Sequence, residues 1–148
     1  DMTPVRDCSV PLGGVPPGVP GDAVAFNHHR ATFLVSDLPA NLIHEVDCQG
    51  DGVHVRSIAP FGFPAPAGMT FDVSSGTYWG VLHMENALVQ FDDMGTLIRW
   101  FDLVSYGVQK PVGVAVGKGK IFVADELADD LHDQTGFIHV FKAPAPAR

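Results

Sequence analysis

The amino-acid sequence predicts an all-β protein built as a β-propeller, because it repeats itself about every 45 residues. A motif running Pro66–Asp72 and then Gly76–Trp79 recurs as Pro111–Gly117 and then Gly119–Asp125, and a degraded copy covers Pro20–Asp37. Repeats of this length on short strands are typical of propellers, in which each repeat forms one four-stranded blade. The 148 residues hold about three blades, whereas propellers close with four or more. The sequence therefore predicts half of a six-bladed ring.

Composition agrees with short strands joined by tight turns. The chain contains 16 Gly and 12 Pro between runs rich in Val, Ile, Phe and Thr, and helix signals are poor. The formal net charge is −8 and the longest basic stretch is Lys118-Gly-Lys120, which does not favour nucleic-acid binding. No apolar run reaches the roughly 18 residues of a membrane span. These features predict a β domain with neither a nucleic-acid partner nor a membrane span.

The elements follow in chain order. Residues 1–20 form a Pro- and Gly-rich lead in which only Val5–Val10 suits an edge strand. Blade one, about 21–60, is predicted to have strands near 22–27, 31–36, 41–47 and 52–58. Blade two, about 61–105, is predicted to have strands at Gly68–Val73, Thr77–Leu82, Ala87–Asp92 and Thr96–Leu103. Blade three, about 106–148, is predicted to have strands at Val112–Val116, Lys120–Ala124 and Phe137–Lys142.

Blade three has no fourth strand in this prediction. The tail from Ala143 to Arg148 alternates Ala with Pro and cannot supply regular ladder hydrogen bonds. An unpaired outer edge favours pairing with a further strand. We expect Pro4–Val10, from this chain or from a neighbour, to complete the blade.

Large apolar residues recur at equivalent places of the first, second and third strands. Inter-blade packing requires such residues, because both faces of a blade's inner strands pack on neighbouring blades. The nine predicted core residues are Phe26, Phe71 and Val116, then Phe33, Tyr78 and Phe122, then Val46, Phe91 and Phe141.

Blade three carries Pro111-Val-Gly-Val-Ala-Val116, Ile121-Phe-Val-Ala-Asp125 and Phe137-Ile-His-Val-Phe141. With these residues the chain resembles the NHL-repeat family of propellers over residues 20–142. Blade two departs from the family pattern where its second strand leads into His83 instead of ending on an acidic residue. The resemblance implies a propeller with a central channel. The family includes protein-binding platforms and metal-dependent lyases, so the resemblance leaves the function open.

Polar side chains fall near the ends of the second strands. Asp37, His83, and Asp125 with Glu126 are predicted to lie on one face of the ring, at the loops that lead into the third strands. Carboxylate and imidazole groups converging there suit Ca²⁺ or Zn²⁺, with His83, Asp125 and Glu126 as ligands. The alternative is structural: an Asp ending such a strand commonly caps its own turn, and this reading is favoured for Asp37 and Asp125.

The insertion Leu127–Gly136 is predicted to lie on the same face and to add His132 to a ligand site, with a solvated acidic loop as the alternative. His28-His29 is interpreted as a solvated turn, in the place that Ser74-Ser75 and Lys118 take in the other blades. His44 and His139 occupy equivalent third-strand positions and are interpreted as packed residues. The sequence has no Gly-x-Ser-x-Gly elbow, so it predicts no Ser-His-Asp triad.

Two cysteines, Cys8 and Cys48, suit one disulfide in an exported protein and equally two buried thiols in a cytosolic one. The start at Asp1 suits a processed mature chain or a shortened sequence, and the expected location is extracellular or periplasmic.

Two functions follow. The first, which is favoured, is a binding or assembly module that forms a larger ring with itself or with another subunit. The second is a metal-dependent lyase or hydrolase with a site at the channel mouth. It is disfavoured because only His83 fits a family lyase, which places several His side chains around its channel.

Overall fold

The computed structural model describes residues 22–48, 53–126 and 136–145. Short strands account for most of this part of the chain. In chain order they are β1 Val24–Asn27, β2 Thr32–Asp37, β3 Leu42–Asp47, β4 Val53–Ile58, β5 Gly68–Asp72, β6 Thr77–Leu82, β7 Ala87–Phe91, β8 Leu97–Asp102, β9 Pro111–Gly117, β10 Lys120–Glu126 and β11 Gly136–Lys142. A short 3₁₀ turn, Val104–Tyr106, joins the second and third groups of strands.

The strands form three antiparallel sheets in the order of the chain. Blade one is β1-β2-β3-β4, blade two is β5-β6-β7-β8, and blade three is β9-β10-β11. The predicted all-β blade architecture is confirmed, and every strand boundary lies within two residues of the predicted one. The proposed closing segment Pro4–Val10 lies outside the described residues.

The blades pack side by side through their first strands. β1 lies against β5, and β5 and β6 lie against β9. One apolar cluster fills the seam between blades one and two, and it includes Leu34, Ile43, Phe63, Met69, Phe71, Tyr78 and Phe91. A second cluster fills the seam between blades two and three, and it includes Trp79, Val81, Leu88, Leu103, Ile121 and Val123. Each seam is a two-sheet core of the kind that aligned sheets form.

Close approach at the second seam explains the glycine of the repeated Pro-x-Gly motif. A Cβ atom on Gly68 would lie 2.7 Å from the carbonyl oxygen of Val112 and 2.9 Å from Cα of Gly113. The first strands of blades two and three therefore meet backbone to backbone at this point. Only glycine leaves room for that contact.

The nine predicted core residues are confirmed in part. Val46, Phe71, Tyr78 and Phe91 are buried, and Phe33, Val116, Phe122 and Phe141 are half-buried. Phe26 was predicted to be core and is 37% exposed, because strand alternation turns Ala25 and Asn27 towards blade two and Phe26 away from it.

The alignment of Phe122 with Phe33 and Tyr78 is wrong by one residue. In the three sheets Phe33 pairs with Val46, Tyr78 pairs with Phe91, and Ile121 pairs with Phe141. Ile121 is therefore the equivalent residue, and it is buried. A shift of one residue in a strand moves a side chain to the other face, so Phe122 points away from blade two.

A buried carboxylate ties blade one to blade two. Glu45 is 1% exposed and accepts hydrogen bonds from Thr32 Oγ1 at 2.7 Å, Arg56 Nε at 2.6 Å and Arg30 Nη1 at 3.2 Å. The two arginines also reach Asp93 in the β7–β8 turn, Arg30 at its carboxylate and Arg56 at its carbonyl oxygen. Burial alone would raise the pKa of Glu45, but the hydrogen bonds from Thr32 and Arg56 and the arginine charges lower it.

Cys48 is disulfide-bonded, whereas Cys8, the other cysteine of the chain, lies outside the described residues. Within residues 22–48, 53–126 and 136–145, no helix has the length and hydropathy that a membrane crossing requires.

Candidate functional site

The predicted site residues lie at the ends of second strands, on the face that carries the β2–β3 and β6–β7 turns. Asp37 ends β2, Asp125 and Glu126 end β10, and His83 is the first residue after β6. His132 lies outside the described residues. Register separates His83 from the aspartates: Asp37 pairs with Leu42, Asp125 with Phe137 and Leu82 with Ala87. Leu82 is thus the blade-two equivalent of the two aspartates, and His83 lies one residue further along, at the place that Glu126 takes in blade three.

Asp125 holds the connection between blades two and three. Its carboxylate is buried and accepts hydrogen bonds from the backbone N–H groups of Gln109 and Lys110, at 3.1 Å and 2.6 Å. Nε2 of His139 lies 3.2 Å from the same carboxylate. Burial raises the pKa of Asp125, but the backbone N–H groups and His139 together lower it. These contacts fit the structural interpretation of this aspartate.

Asp37 has a similar environment in blade one. It is buried, accepts a hydrogen bond from the backbone N–H of Ala40 at 3.0 Å, and faces Nε2 of His44 at 3.6 Å. His44 and His139 occupy the same register position, opposite Val35 and Val123, as predicted. Blade two replaces both members of the pair with apolar residues, Leu82 and Val89. The aspartate–histidine pair is therefore a repeated element of blades one and three.

His83 and Glu126 contact the blade connection and not each other. Nδ1 of His83 lies 3.4 Å from the carbonyl oxygen of Pro111, and the Glu126 carboxylate forms a 3.0 Å salt bridge with Lys110. In the part of the chain that the structure describes, no group of three or more His, Cys, Asp and Glu side chains is close enough to hold a metal ion. The metal site with His83, Asp125 and Glu126 as ligands stays a prediction.

The opposite face carries a cavity that the sequence did not indicate. It has a volume of about 510 Å³ and is lined by residues of the three turns that follow the first strands, among them His28, Asp72, Ser74 and Lys118. Asp72 accepts hydrogen bonds from Ser74 and Ser75, and its pKa, which burial raises, is lowered by these bonds. The turn of His28 and His29, interpreted as a solvated turn, thus lies with its equivalents in the other two blades around one opening. Equal spacing of these turns in the repeats was the signal that could have shown it.

Two apolar surfaces lie on the outer sides of the end blades. Strand alternation and register place each set on the face turned away from blade two, whereas the alternating partners lie in the seams described above. The blade-one flank consists of Val24, Phe26, Phe33 and Val35. The blade-three flank consists of Ala115, Phe122, Ala124, Ile138 and Val140, with Ile138 exposed by 70%.

Comparison with solved structures identifies the architecture. The chain is similar to hydrazine synthase from Kuenenia stuttgartiensis, with a TM-score of 0.56 and 15% identity over 81% of this chain and 33% of that one. It is also similar to a luciferin-regenerating enzyme, with a TM-score of 0.61 and 15% identity over 83% of this chain and 45% of that one. The chain has a β-propeller fold.

At 15% identity these likenesses concern the fold alone. The β-propeller chain spans between a third and a half of the length of the two structures. No protein-family model matches the sequence. No curated protein matches it either.

Proposed function

We propose that this chain is an NHL-like propeller module that assembles into a larger ring, with a second copy of itself as the partner. The observation that carries the proposal is the pair of apolar flanks at the two ends of the three-blade unit. Val24 is 60% exposed and Ile138 is 70% exposed, each within a set of apolar neighbours. Contiguous apolar surfaces of this kind typically mark interaction sites.

The two flanks repeat the chemistry of the internal seams. Phe26 is the blade-one equivalent of Phe71, which packs in the seam between blades one and two. Gly113 is the blade-three equivalent of Gly68, which allows the close contact between blades two and three. A blade-one flank placed on a blade-three flank therefore brings together the same kinds of residues that the seams already join.

Symmetry supports a second copy as the occupant. The contact is heterologous, since one end of the unit meets the opposite end of another. Two three-blade units joined twice in this way close a ring of six blades, which lies within the range of known propellers. The limited coverage of both structural relatives fits a unit that is smaller than a complete propeller.

The mass of the native protein tests the proposal. We expect native mass spectrometry and light scattering at micromolar concentration to give twice the 15.8 kDa of the chain. Ile138→Asp should produce the monomer, because it places a charge in the flank contact. Met84→Asp is the matched control, since Met84 is 86% exposed in the β6–β7 turn and lies on neither flank. A stable 15.8 kDa wild-type species would contradict the proposal.

We also propose that the protein is exported to an extracellular or periplasmic compartment, which the disulfide at Cys48 supports, because disulfides persist in oxidising compartments. The metal-dependent lyase or hydrolase remains the alternative function. Elemental analysis of the purified protein, with His83→Ala for comparison, tests it independently of the mass. A stoichiometric metal that His83→Ala loses would favour the enzyme.

A further inference from the structure

Blade one contains a serine, a histidine and an aspartate in a line. Oγ of Ser57 on β4 lies 3.0 Å from Nδ1 of His44 on β3. Nε2 of the same ring lies 3.6 Å from Oδ2 of Asp37, which ends β2. His44 is 3% exposed and Asp37 is 5% exposed, whereas Ser57 is exposed. A buried acid, a buried imidazole and an exposed hydroxyl are the three parts of a nucleophilic serine site.

The positions of the neighbours set the proton on His44. The Asp37 carboxylate favours the tautomer that carries hydrogen on Nε2, because that N–H then points towards a negative charge. Nε2 makes no hydrogen bond within the described residues, so the carboxylate is the group that orients it. Nδ1 is then the acceptor, and it takes the hydrogen bond that the Ser57 hydroxyl donates.

A second histidine completes the environment of the hydroxyl. Nε2 of His54 lies 3.1 Å from Oγ of Ser57, and its ring packs edge-on against His44. Because the one hydroxyl proton of Ser57 goes to His44, the His54 contact requires an N–H that donates to Oγ. That donor stabilises negative charge as it develops on the serine oxygen.

Comparison of blades one and three shows which of these residues the fold requires. Blade three has the same pair, Asp125 and His139, 3.2 Å apart, and it serves the blade connection. A structural role at the blade connection is therefore enough to explain an aspartate–histidine pair. Ser57 and His54 are not, because packing requires neither an exposed hydroxyl nor two imidazoles directed at it.

We propose that Ser57 is a nucleophile for acyl transfer, with His44 as its general base, Asp37 as the positioning residue and carboxylic esters as the substrate class. This activity does not rest on ring assembly, because all the groups come from one blade. His44 and Ser57 continue the row Val24–Val35 and so lie on the same sheet face as the blade-one flank, with Ser57 on β4, the outer strand of the sheet. Ser57 is exposed in the single chain, so a substrate can reach it there from the edge of the blade.

The chemical steps balance within these groups. Ser57 Oγ forms a bond to the ester carbonyl carbon and its proton moves to Nδ1 of His44. The bond from that carbon to the alcohol oxygen breaks, and the departing oxygen takes the proton from His44. Water then forms a bond to the acyl carbon and gives a proton to His44, the bond from that carbon to Oγ of Ser57 breaks, and the proton on His44 returns to Oγ while the carboxylic acid departs. The net reaction is ester plus water to carboxylic acid plus alcohol.

Labelling of the full chain with a fluorophosphonate probe, followed by peptide mapping, tests the proposal. We expect one phosphonylated residue, Ser57, formed with loss of fluoride, together with hydrolysis of 4-nitrophenyl acetate. Ser57→Ala should lose both, and His44→Gln should slow labelling by about 100-fold or more. Ser105→Ala is the control, since Ser105 is exposed and hydrogen-bonds to the carbonyl oxygen of Asp102.

Asp37→Asn separates positioning from folding. It should lower the maximal labelling rate and leave the probe concentration for half-maximal rate unchanged, in protein whose melting temperature shows that it is folded. If His44→Gln fails to fold, the comparison of labelling and ester hydrolysis between Ser57→Ala and Ser105→Ala is sufficient to test the proposal. Absence of label on Ser57, or ester hydrolysis that survives in Ser57→Ala, would overturn the proposal whatever the oligomeric state.

Discussion

Replacing Gly68 with alanine is expected to destabilise the seam between blades two and three. The new Cβ would lie 2.7 Å from the carbonyl oxygen of Val112 and 2.9 Å from Cα of Gly113. Both obstacles are backbone atoms of β9, which cannot rotate away as a side chain can. The two first strands would have to separate by about 0.5–1 Å to restore ordinary van der Waals contact.

The expected loss follows from this overlap. Inserting a methyl group into a packed core that must shift costs about 1–3 kcal/mol of unfolding free energy. For a domain of this size, that corresponds to a fall in melting temperature of roughly 3–10 °C. Gly113→Ala is the matched control, because its Cβ would meet Ala124 Cβ at an ordinary 3.6 Å. The monomer with that substitution should be unchanged or more stable by about 0.5 kcal/mol.

Urea and thermal unfolding, followed by circular dichroism at a concentration where the chain is monomeric, measure both variants. The reasoning requires Gly68→Ala to be less stable than Gly113→Ala by at least about 1 kcal/mol. Equal stabilities would show that the two first strands do not meet backbone to backbone, and that the repeated glycine has another cause.

Three further perturbations test other parts of the fold. Glu45→Gln should lower stability by about 1–3 kcal/mol near neutral pH, measured by urea unfolding, because it leaves two arginines without their buried partner. Because the pKa of Glu45 is lowered in the folded protein, its contribution to stability is present above the unfolded pKa near 4.5 and is lost as pH falls through the folded pKa. The difference in stability between the wild type and Glu45→Gln should therefore become smaller in acid. Reduction of the Cys48 disulfide should lower the free energy of unfolding by about 2–5 kcal/mol, measured as a fall in melting temperature. Asp125→Asn should cost about 1–3 kcal/mol and weaken protection of the Gln109 amide in hydrogen exchange.

The fold was predictable because the signal is repeated. Each blade carries the same apolar positions and turn residues, so an error in one copy is corrected by the others. Phe122 shows the limit of that reasoning. Two apolar residues, Ile121 and Phe122, stand side by side, and the larger aromatic matched Phe33 and Tyr78 by type. Only the pairing of Ile121 with Phe141 shows which of them faces blade two.

The proposed serine site was less predictable, because it depends on which strands lie side by side. Asp37, His44 and Ser57 are separated along the sequence, and no short motif joins them. They meet because β2, β3 and β4 are neighbours in one sheet. The absence of a Gly-x-Ser-x-Gly elbow led the sequence reasoning away from a serine site, although that motif belongs to one fold and the triad is defined by geometry. Register between His44 and Ser57 was the missing information.

Gly113 connects the packing argument with the proposed assembly. Within one chain its missing Cβ has no packing reason, since the space beside it would accept an alanine. Its equivalent, Gly68, is glycine because a neighbouring first strand occupies that space. If the same cause acts at Gly113, a further first strand lies there in the assembled ring, and the β1 segment of a second copy is the one available. Gly113→Ala should then leave the monomer intact and reduce the dimer fraction measured by native mass spectrometry. An unchanged dimer fraction would place the partner elsewhere on the blade-three flank.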